Sequence, residues 1–360
     1  MSPKSSNISL DTLPIRKKIA QLFLMGFRGS DMSEGSEVYQ MIQEVGPGAV
    51  ILFDQDMVHH KPVHNISSPK QLQELCEALH KTSSLPLWIG IDQEGGLVNR
   101  LKPEYGFPET KSHAYLGKQD NTELTYQKAK DIGSVFREMH ISINFAPVVD
   151  IAKEEDSSII AKRKRSFGRS SDVVYRHAKA YLEGLGSEGI WGCCKHFPGH
   201  GSAKGDTHAG FVDVTETWEV DELLPYSSLI EDGLCSMIMS AHVIHKDFDT
   251  QYPVTLSEHI MPKLLREKMG FDGLVFTDDM QMRAISDHYG IKEALKMGLN
   301  AGVDMFCFGN NLLPEPAKLF DLVCLVEQLL DEDLISENRI DYSVSKILTM
   351  KGQSPMTMKE

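Results

Sequence analysis

Eight short apolar or β-branched runs recur along this chain with longer amphipathic stretches between them, and that alternation constrains its fold more than any other feature. The runs are Leu22–Phe27, Ala49–Phe53, Leu87–Asp92, Ser142–Ala146, Gly189–His196, Ser236–His242, Gly273–Asp278 and Val303–Phe308. Runs this short and this uniformly apolar read as strands buried on both faces, as in a parallel sheet. The stretches between them, such as Pro69–Lys81, Asn121–Met139, Ser171–Ser187, Ser257–Met269 and Tyr289–Leu299, carry apolar residues at helical spacing. Several open with Ser, Asn or Pro near the cap position.

Eight βα repeats predict an α/β fold, a single (β/α)8 TIM-type barrel, in preference to an open doubly wound sheet. The position of the polar residues decides between them. Asp92, Asn144, Lys195, His196, His242 and Asp278 all fall at the C-terminal ends of expected strands, where barrel enzymes gather their chemistry. No Pro-, Gly- or Ser-rich linker divides the chain, so residues 1–352 are expected to form one catalytic barrel with a C-terminal helix. In that helix Ile340, Val344, Ile347 and Leu348 would pack against the barrel wall, with 353–360 a frayed tail.

The 360 residues, 41% of them hydrophobic, can fill a sizeable core. Fifty-one acidic against 37 basic side chains leave a net charge of -14, which repels phosphate backbones and anionic lipid surfaces and excludes nucleic acid as a partner. The N-terminal segment lacks the apolar core of a secretory signal, and no apolar run approaches the ~18 residues that span a bilayer. A cytoplasmic location without membrane insertion is therefore expected. Cys76, Cys193, Cys194, Cys235, Cys307 and Cys324 lack CxxC spacing and read as reduced core thiols. The sequon Asn65-Ile66-Ser67 is expected to be idle.

The end of the fifth run and the loop after it, Lys195-His196-Phe197-Pro198-Gly199-His200-Gly201-Ser202-Ala203-Lys204-Gly205-Asp206-Thr207-His208, concentrate two lysines, three imidazoles and a carboxylate. A carboxylate paired with an imidazole, as Asp206 with His208, fixes its tautomer and raises its basicity, which suits acid–base work. The seventh run leads into Thr277-Asp278-Asp279, which offers a carboxylate as partner or nucleophile. Plainer readings stand beside these. Asp278 could cap a helix, with Asp279 the better candidate for that role; Asp206 could form a loop turn; Asp92 and Arg100 could be a structural ion pair; Arg165 could belong to a solvated basic run, Lys162-Arg163-Lys164-Arg165.

Together with Ile91-Asp92-Gln93-Glu94-Gly95-Gly96, Asn144-Phe145-Ala146-Pro147-Val148-Val149-Asp150, Arg165-Ser166-Phe167-Gly168 and Ser240-Ala241-His242-Val243, this loop resembles glycoside hydrolase family 3. It is most similar to the β-N-acetylhexosaminidase branch, over roughly residues 15 to 350. The resemblance implies a retaining exo-β-N-acetylglucosaminidase of peptidoglycan recycling, acting on a β-GlcNAc glycoside without cofactor or metal. It implies Asp278 as nucleophile, His208 positioned by Asp206 as acid/base, and Asp92, Arg100, Arg165, Lys195 and His196 as the binding set for the non-reducing sugar. His200 is assigned to shaping the loop. Lys164 before Arg165, and Gly210-Phe211-Val212 soon after His208, depart from the family pattern and bear on loop packing and aglycone choice.

Other readings remain open at this stage. A β-glucosidase or β-xylosidase of the same family would share the barrel, and a phosphorylase would share the histidine acid/base. A metal-dependent hydrolase could use His196, His200, Asp206 and His208, although their spacing is not that of a helical zinc motif. A non-catalytic sugar-binding barrel is the remaining alternative. Neither the aglycone nor the oligomeric state can be read from the sequence.

Overall fold

The computed structural model of the chain describes residues 10–61, 63–153, 158–203 and 210–355. Its strands, in chain order, are β1 (Phe23–Gly26), β2 (Ala49–Leu52), β3 (Trp88–Ile91), β4 (Ile143–Asn144), β5 (Trp191–Gly192), β6 (Cys194–Phe197), β7 (Val212–Asp213), β8 (Met237–Ser240), β9 (Val243–Ile244), β10 (Leu274–Asp279) and β11 (Met305–Phe308). Nine of them form one parallel sheet in the order β5-β4-β3-β2-β1-β11-β10-β8-β6, and β7 pairs only with β9. β5 and β6 are halves of one apolar run broken at Cys193. The first half pairs with β4 and the second with β8, so the run closes the sheet into a barrel. Nine hydrogen-bonded segments thus amount to the eight expected strands.

The barrel is filled by side chains that leave no room for exchange. Phe145 and Phe276 meet edge to face at 5.8 Å, and a Cβ on Gly90 of β3 would lie 2.5 Å from the Phe145 ring. Both rings are fully buried, each worth about 2–3 kcal/mol by transfer from water. A side chain at position 90 would force them apart.

The surrounding helices start where local capping chemistry dictates. Pro69–Thr82, Thr122–Glu138, Ser171–Ser187 and Glu337–Lys351 begin after Ser68, Asn121, Ser170 and Ser336, whose side-chain oxygens accept an amide three residues on. The stretches expected as helical near 257–269 and 289–299 are helical over Ile260–Lys268 and Ile291–Asn300.

The last helix buries Ile340, Val344, Ile347 and Met350, with Leu348 only partly covered. It lies beneath the barrel instead of along its wall. Arg339 donates to the carbonyls of Leu299 at 2.7 Å and Val303 at 2.6 Å, Lys346 to Gly273 at 2.8 Å, and Lys351 to Gly48 at 2.7 Å. Gly48, Gly273 and Val303 sit just before β2, β10 and β11, so this helix seals the end opposite the strand C-termini. Residues 356–360 of the expected frayed tail lie outside the described residues.

Among the described residues no helix is long and apolar enough to cross a membrane. The six cysteines are thiols, five of them buried. Asn65 is also buried, its amide donating to the carbonyls of Phe27 and Gly29 and its oxygen accepting the Phe53 amide, so the sequon nitrogen is committed to the fold.

Candidate active site

The site is built at the C-terminal ends of the strands, beginning with the turn after β3. Gly95 and Gly96 have φ of 89° and 65°, and a Cβ on either would collide with Lys111 or Ser112. Only glycine fits this left-handed, closely packed turn. Gln93 braces it from beneath. Its amide donates to Asn144 Oδ1 at 3.1 Å, and its side-chain oxygen accepts the amides of Arg100 and Leu101 at 2.9 and 3.0 Å. The turn thereby presents Asp92, Glu94 and Arg100 to the mouth of the barrel.

β6 supplies the opposing charges. Lys195 Nζ lies 2.7 Å from Asp92 Oδ1 and 2.8 Å from Glu94 Oε1. A register shift against β8 between Lys195 and Phe197 lets the adjacent His196 join the same cluster. Its Nδ1 lies 2.7 Å from Asp150 Oδ2, and its Nε2 is 3.1 Å from Arg165 Nη2. A guanidinium can only donate, so Nε2 accepts and the imidazole proton sits on Nδ1, facing the carboxylate. Asp150 also accepts the backbone amides of His196 and His200, at 3.1 and 2.8 Å.

Arg165 reaches the cluster because the basic run divides. The short helix Ile159–Lys162 ends with Lys164 in the left-handed region at φ 57°; Lys162, Arg163 and Lys164 face solvent while Arg165 turns inward. Its guanidinium grips Glu94 through Nε and Nη2 at 2.8 and 2.7 Å. Burial alone would raise the Glu94 carboxyl, but the cations of Arg165 and Lys195 outweigh it and hold it well below the usual carboxylate range. Burial likewise works to lower Lys195, and Asp92 and Glu94 overcome it, leaving the ammonium above its ordinary value.

Exposure within this network is graded. The side chains of Glu94 and Lys195 are 1% and 2% exposed, whereas Arg165, Asp92 and Arg100 keep 15%, 17% and 27%. The interior members hold the frame, and the outer three can meet a ligand. Arg100 is held by the buried Asp54, 3.6 Å from its Nη1, which also binds Lys102 Nζ at 2.6 Å.

Asp278 stands at the end of β10, its Oδ1 accepting the amide of Asp279 at 2.8 Å. Asp279 does not cap the following helix, which starts at Arg283 after Met282; it accepts the Gln281 amide and packs against Gly309. His242 Nε2 contacts the Asp279 carbonyl at 3.2 Å. The Cys307 thiol is driven well above its ordinary value, first by burial and then by Asp279, Asp278 and Asp92. Asp92 follows β3 and Asp278 closes β10, so both carboxylates stand at the C-terminal end of the barrel.

Of the residues singled out from sequence, Asp92, Arg100, Arg165, Lys195 and His196 fall in one continuous network, and Asp278 lies at the same barrel end. Asp206 and His208 lie outside the described residues. Sequence reasoning passed over Glu94, Asp150 and Asp54. Glu94 and Asp150 belong to the quoted motifs, but only their partners reveal that they neutralise and orient the binding set. Among the described residues no three His, Cys, Asp or Glu side chains are grouped as metal ligands.

Comparison with known proteins agrees with the barrel fold. Residues 14–350 match the model of the glycosyl hydrolase family 3 N terminal domain. The chain is 31% identical to the β-hexosaminidase LpqI of Mycobacterium tuberculosis, over 94% of this chain and 83% of that protein. It is also 31% identical to a β-hexosaminidase of Tolumonas auensis, over 86% and 89%. A solved glycoside hydrolase family 3 β-N-acetylglucosaminidase from Paenibacillus sp. str. FPU-7 superposes with a TM-score of 0.86 at 31% identity, covering 97% of this chain. The present chain spans 64% of that protein's length.

Proposed function

Because the chain belongs to glycosyl hydrolase family 3 and is a glycoside hydrolase, we propose that it is a retaining exo-β-N-acetylglucosaminidase releasing non-reducing GlcNAc from muropeptides or related β-GlcNAc glycosides. The observation that carries this reading is the charge network of Asp92, Arg100, Arg165 and Lys195 at the barrel end that also bears Asp278. A pyranose presents hydroxyls in a fixed array, and paired, preorganised charges clamp such an array at low entropic cost. The accessible faces of Asp92, Arg100 and Arg165 take the hydroxyls, while Lys195 holds Asp92 and His196 meets Arg165 from within.

Catalysis then proceeds in two displacements. The Asp278 carboxylate attacks the anomeric carbon while His208, oriented by Asp206, gives its proton to the departing oxygen. The resulting glycosyl ester is cleaved by a water that returns its proton to His208, and configuration is retained. As imidazolium before the first step and neutral imidazole after it, His208 never brings the like charge that a second carboxylate would set beside the anionic nucleophile. Neither metal nor cofactor enters this chemistry. The whole of 1–352 acts as one catalytic barrel. Buried free thiols fit a reducing, cytoplasmic setting, and cell-wall recycling there supplies such substrates.

Turnover of aryl β-GlcNAc and aryl β-glucoside, with and without inorganic phosphate, tests the reading. A kcat/KM at least about tenfold higher for β-GlcNAc, or about 1.4 kcal/mol of differential transition-state binding, is expected, with free GlcNAc as product. Equal kcat/KM values would instead make this a family β-glucosidase, and a sugar phosphate product would make it a phosphorylase.

A further inference from the structure

Two aromatic rings stand exposed at the rim of the same barrel end. Phe211, 37% exposed, stacks on the exposed His288 with centroids 3.8 Å apart and planes 27° from parallel, and Tyr289 meets Phe211 edge-on at 6.4 Å. Phe211 directly precedes β7, whose Val212 pairs with Val243 of β9. Val243 follows His242, which touches the backbone of Asp279. His288 and Tyr289 lie ten and eleven residues beyond Asp278. The pair therefore bridges the loop that follows His208 and the loop that follows the nucleophile strand. Tyr252 is also 37% exposed, and the Tyr289 hydroxyl is raised by burial and then by Tyr252 and Asp249.

Phe211 stacked on His288 offers a flat ring face to solvent, a geometry suited to receiving a ligand ring. A sugar ring presents a face of C–H bonds that packs well on an aromatic plane, and a planar side chain loses little entropy in receiving it. Phe211 lies three residues along the chain from the group assigned to protonate the leaving oxygen. On that assignment Phe211 belongs to the leaving-group side of the scissile bond.

We propose that Phe211, backed by His288, is the platform for the leaving-group sugar, so that the enzyme prefers aglycones that are themselves pyranose rings. The proposal rests on the β-N-acetylglucosaminidase reading above and deepens it. The charged network at Asp92 and Arg100 selects the non-reducing sugar through its hydroxyls; the aromatic rim selects its neighbour through its apolar face.

The test compares di-N-acetylchitobiose, which offers a second ring, with methyl β-GlcNAc, which does not, using the full chain. Phe211→Ala is expected to lower kcat/KM on the disaccharide about tenfold, mainly through KM, while methyl β-GlcNAc changes by less than about twofold. Tenfold corresponds to about 1.4 kcal/mol. Phe211→Trp should restore the disaccharide, and His288→Ala should lose part of the same preference. Methanol is a poor leaving group and depends on the acid catalyst, so an unchanged methyl rate also shows that His208 is undisturbed. Equal losses on both substrates, or none on either, would overturn the platform while leaving the glycosidase reading intact. A wild-type chain inert on both substrates would overturn that reading and the platform with it.

Discussion

Arg165 holds Glu94 by two parallel hydrogen bonds, from Nε to Oε2 at 2.8 Å and from Nη2 to Oε1 at 2.7 Å, in a position where Glu94 is 1% exposed. The same carboxylate also carries Lys195 at 2.8 Å. One buried anion thus pairs with two cations, one from the loop before Ser166 and one from β6. Glu94→Gln leaves both cations under-compensated, and breaking a buried pair of this kind costs about 3–5 kcal/mol. A fall of that order in unfolding free energy is expected from urea denaturation, with KM raised for any residual activity. Arg165→Lys should recover little, because an ammonium cannot reproduce the two-pronged contact. A Glu94→Gln protein with wild-type stability and KM would remove Glu94 from this role.

Asp278→Asn or Asp278→Ala should abolish turnover in a protein that remains folded, since no covalent glycosyl intermediate can form without the carboxylate. Peptide mapping by mass spectrometry after reaction with a slow 5-fluoro glycosyl substrate should find the label on Asp278. Label on Asp279 would reverse the assignment of the two neighbours.

His208→Ala should harm natural glycosides more than activated aryl glycosides, because a good leaving group needs less proton donation. Asp206→Asn should give the same pattern in weaker form. The slope of log kcat against leaving-group acidity measures this directly, and a slope unchanged from wild type would deny His208 the acid role.

Glu222 lies buried beneath the loop that leads towards these residues, its Oε2 accepting the Gly201 amide at 3.2 Å. Burial pushes its carboxyl up to about 7 from an ordinary 4.5, the Ser202 hydroxyl offsets part of that, and Asp150 adds to it. The unfolded chain therefore releases this proton first as pH rises. The stability that Glu222 contributes as a neutral acid is complete below about 4.5 and gone by about 7, a loss on the order of 3 kcal/mol. Glu222→Gln keeps an acceptor and never ionises, so its urea midpoint should gain on wild type between pH 4.5 and 7. A constant difference across that window would place the titration elsewhere.

His113 has the opposite sign. Burial pushes its imidazole down to about 4, and its Nδ1 lies 2.8 Å from the Arg165 carbonyl. The unfolded chain takes up a proton below about 6.5 that the folded one refuses, so stability falls as pH drops from about 6.5 towards 4. His113→Phe should flatten the acid limb of the stability curve, even where the substitution costs stability at neutral pH. An acid limb as steep as wild type would show that His113 does not contribute to it.

The barrel was legible in the sequence because its signal is local. Each strand is a short apolar run and each helix an amphipathic stretch behind a capping side chain, so the number and order of strands and the side chains at their ends follow from neighbours along the chain. Asp92, Lys195, His196 and Asp278 were recognisable for that reason. Tertiary structure alone decided which of these charges meet. The pairs Arg165 with Glu94, Lys195 with Asp92 and His196 with Asp150 join residues 71, 103 and 46 positions apart, and no periodicity encodes such a contact. Glu94, Asp150 and Asp54 consequently passed for ordinary motif or loop residues until their partners were in place. The same holds for the division of the basic run at Lys164 and for the last helix, whose apolar stripe foretold packing but not that it would seal the base of the barrel. A side chain's chemistry is written in the sequence, whereas its partners and its access to water depend on distant segments that only folding brings together.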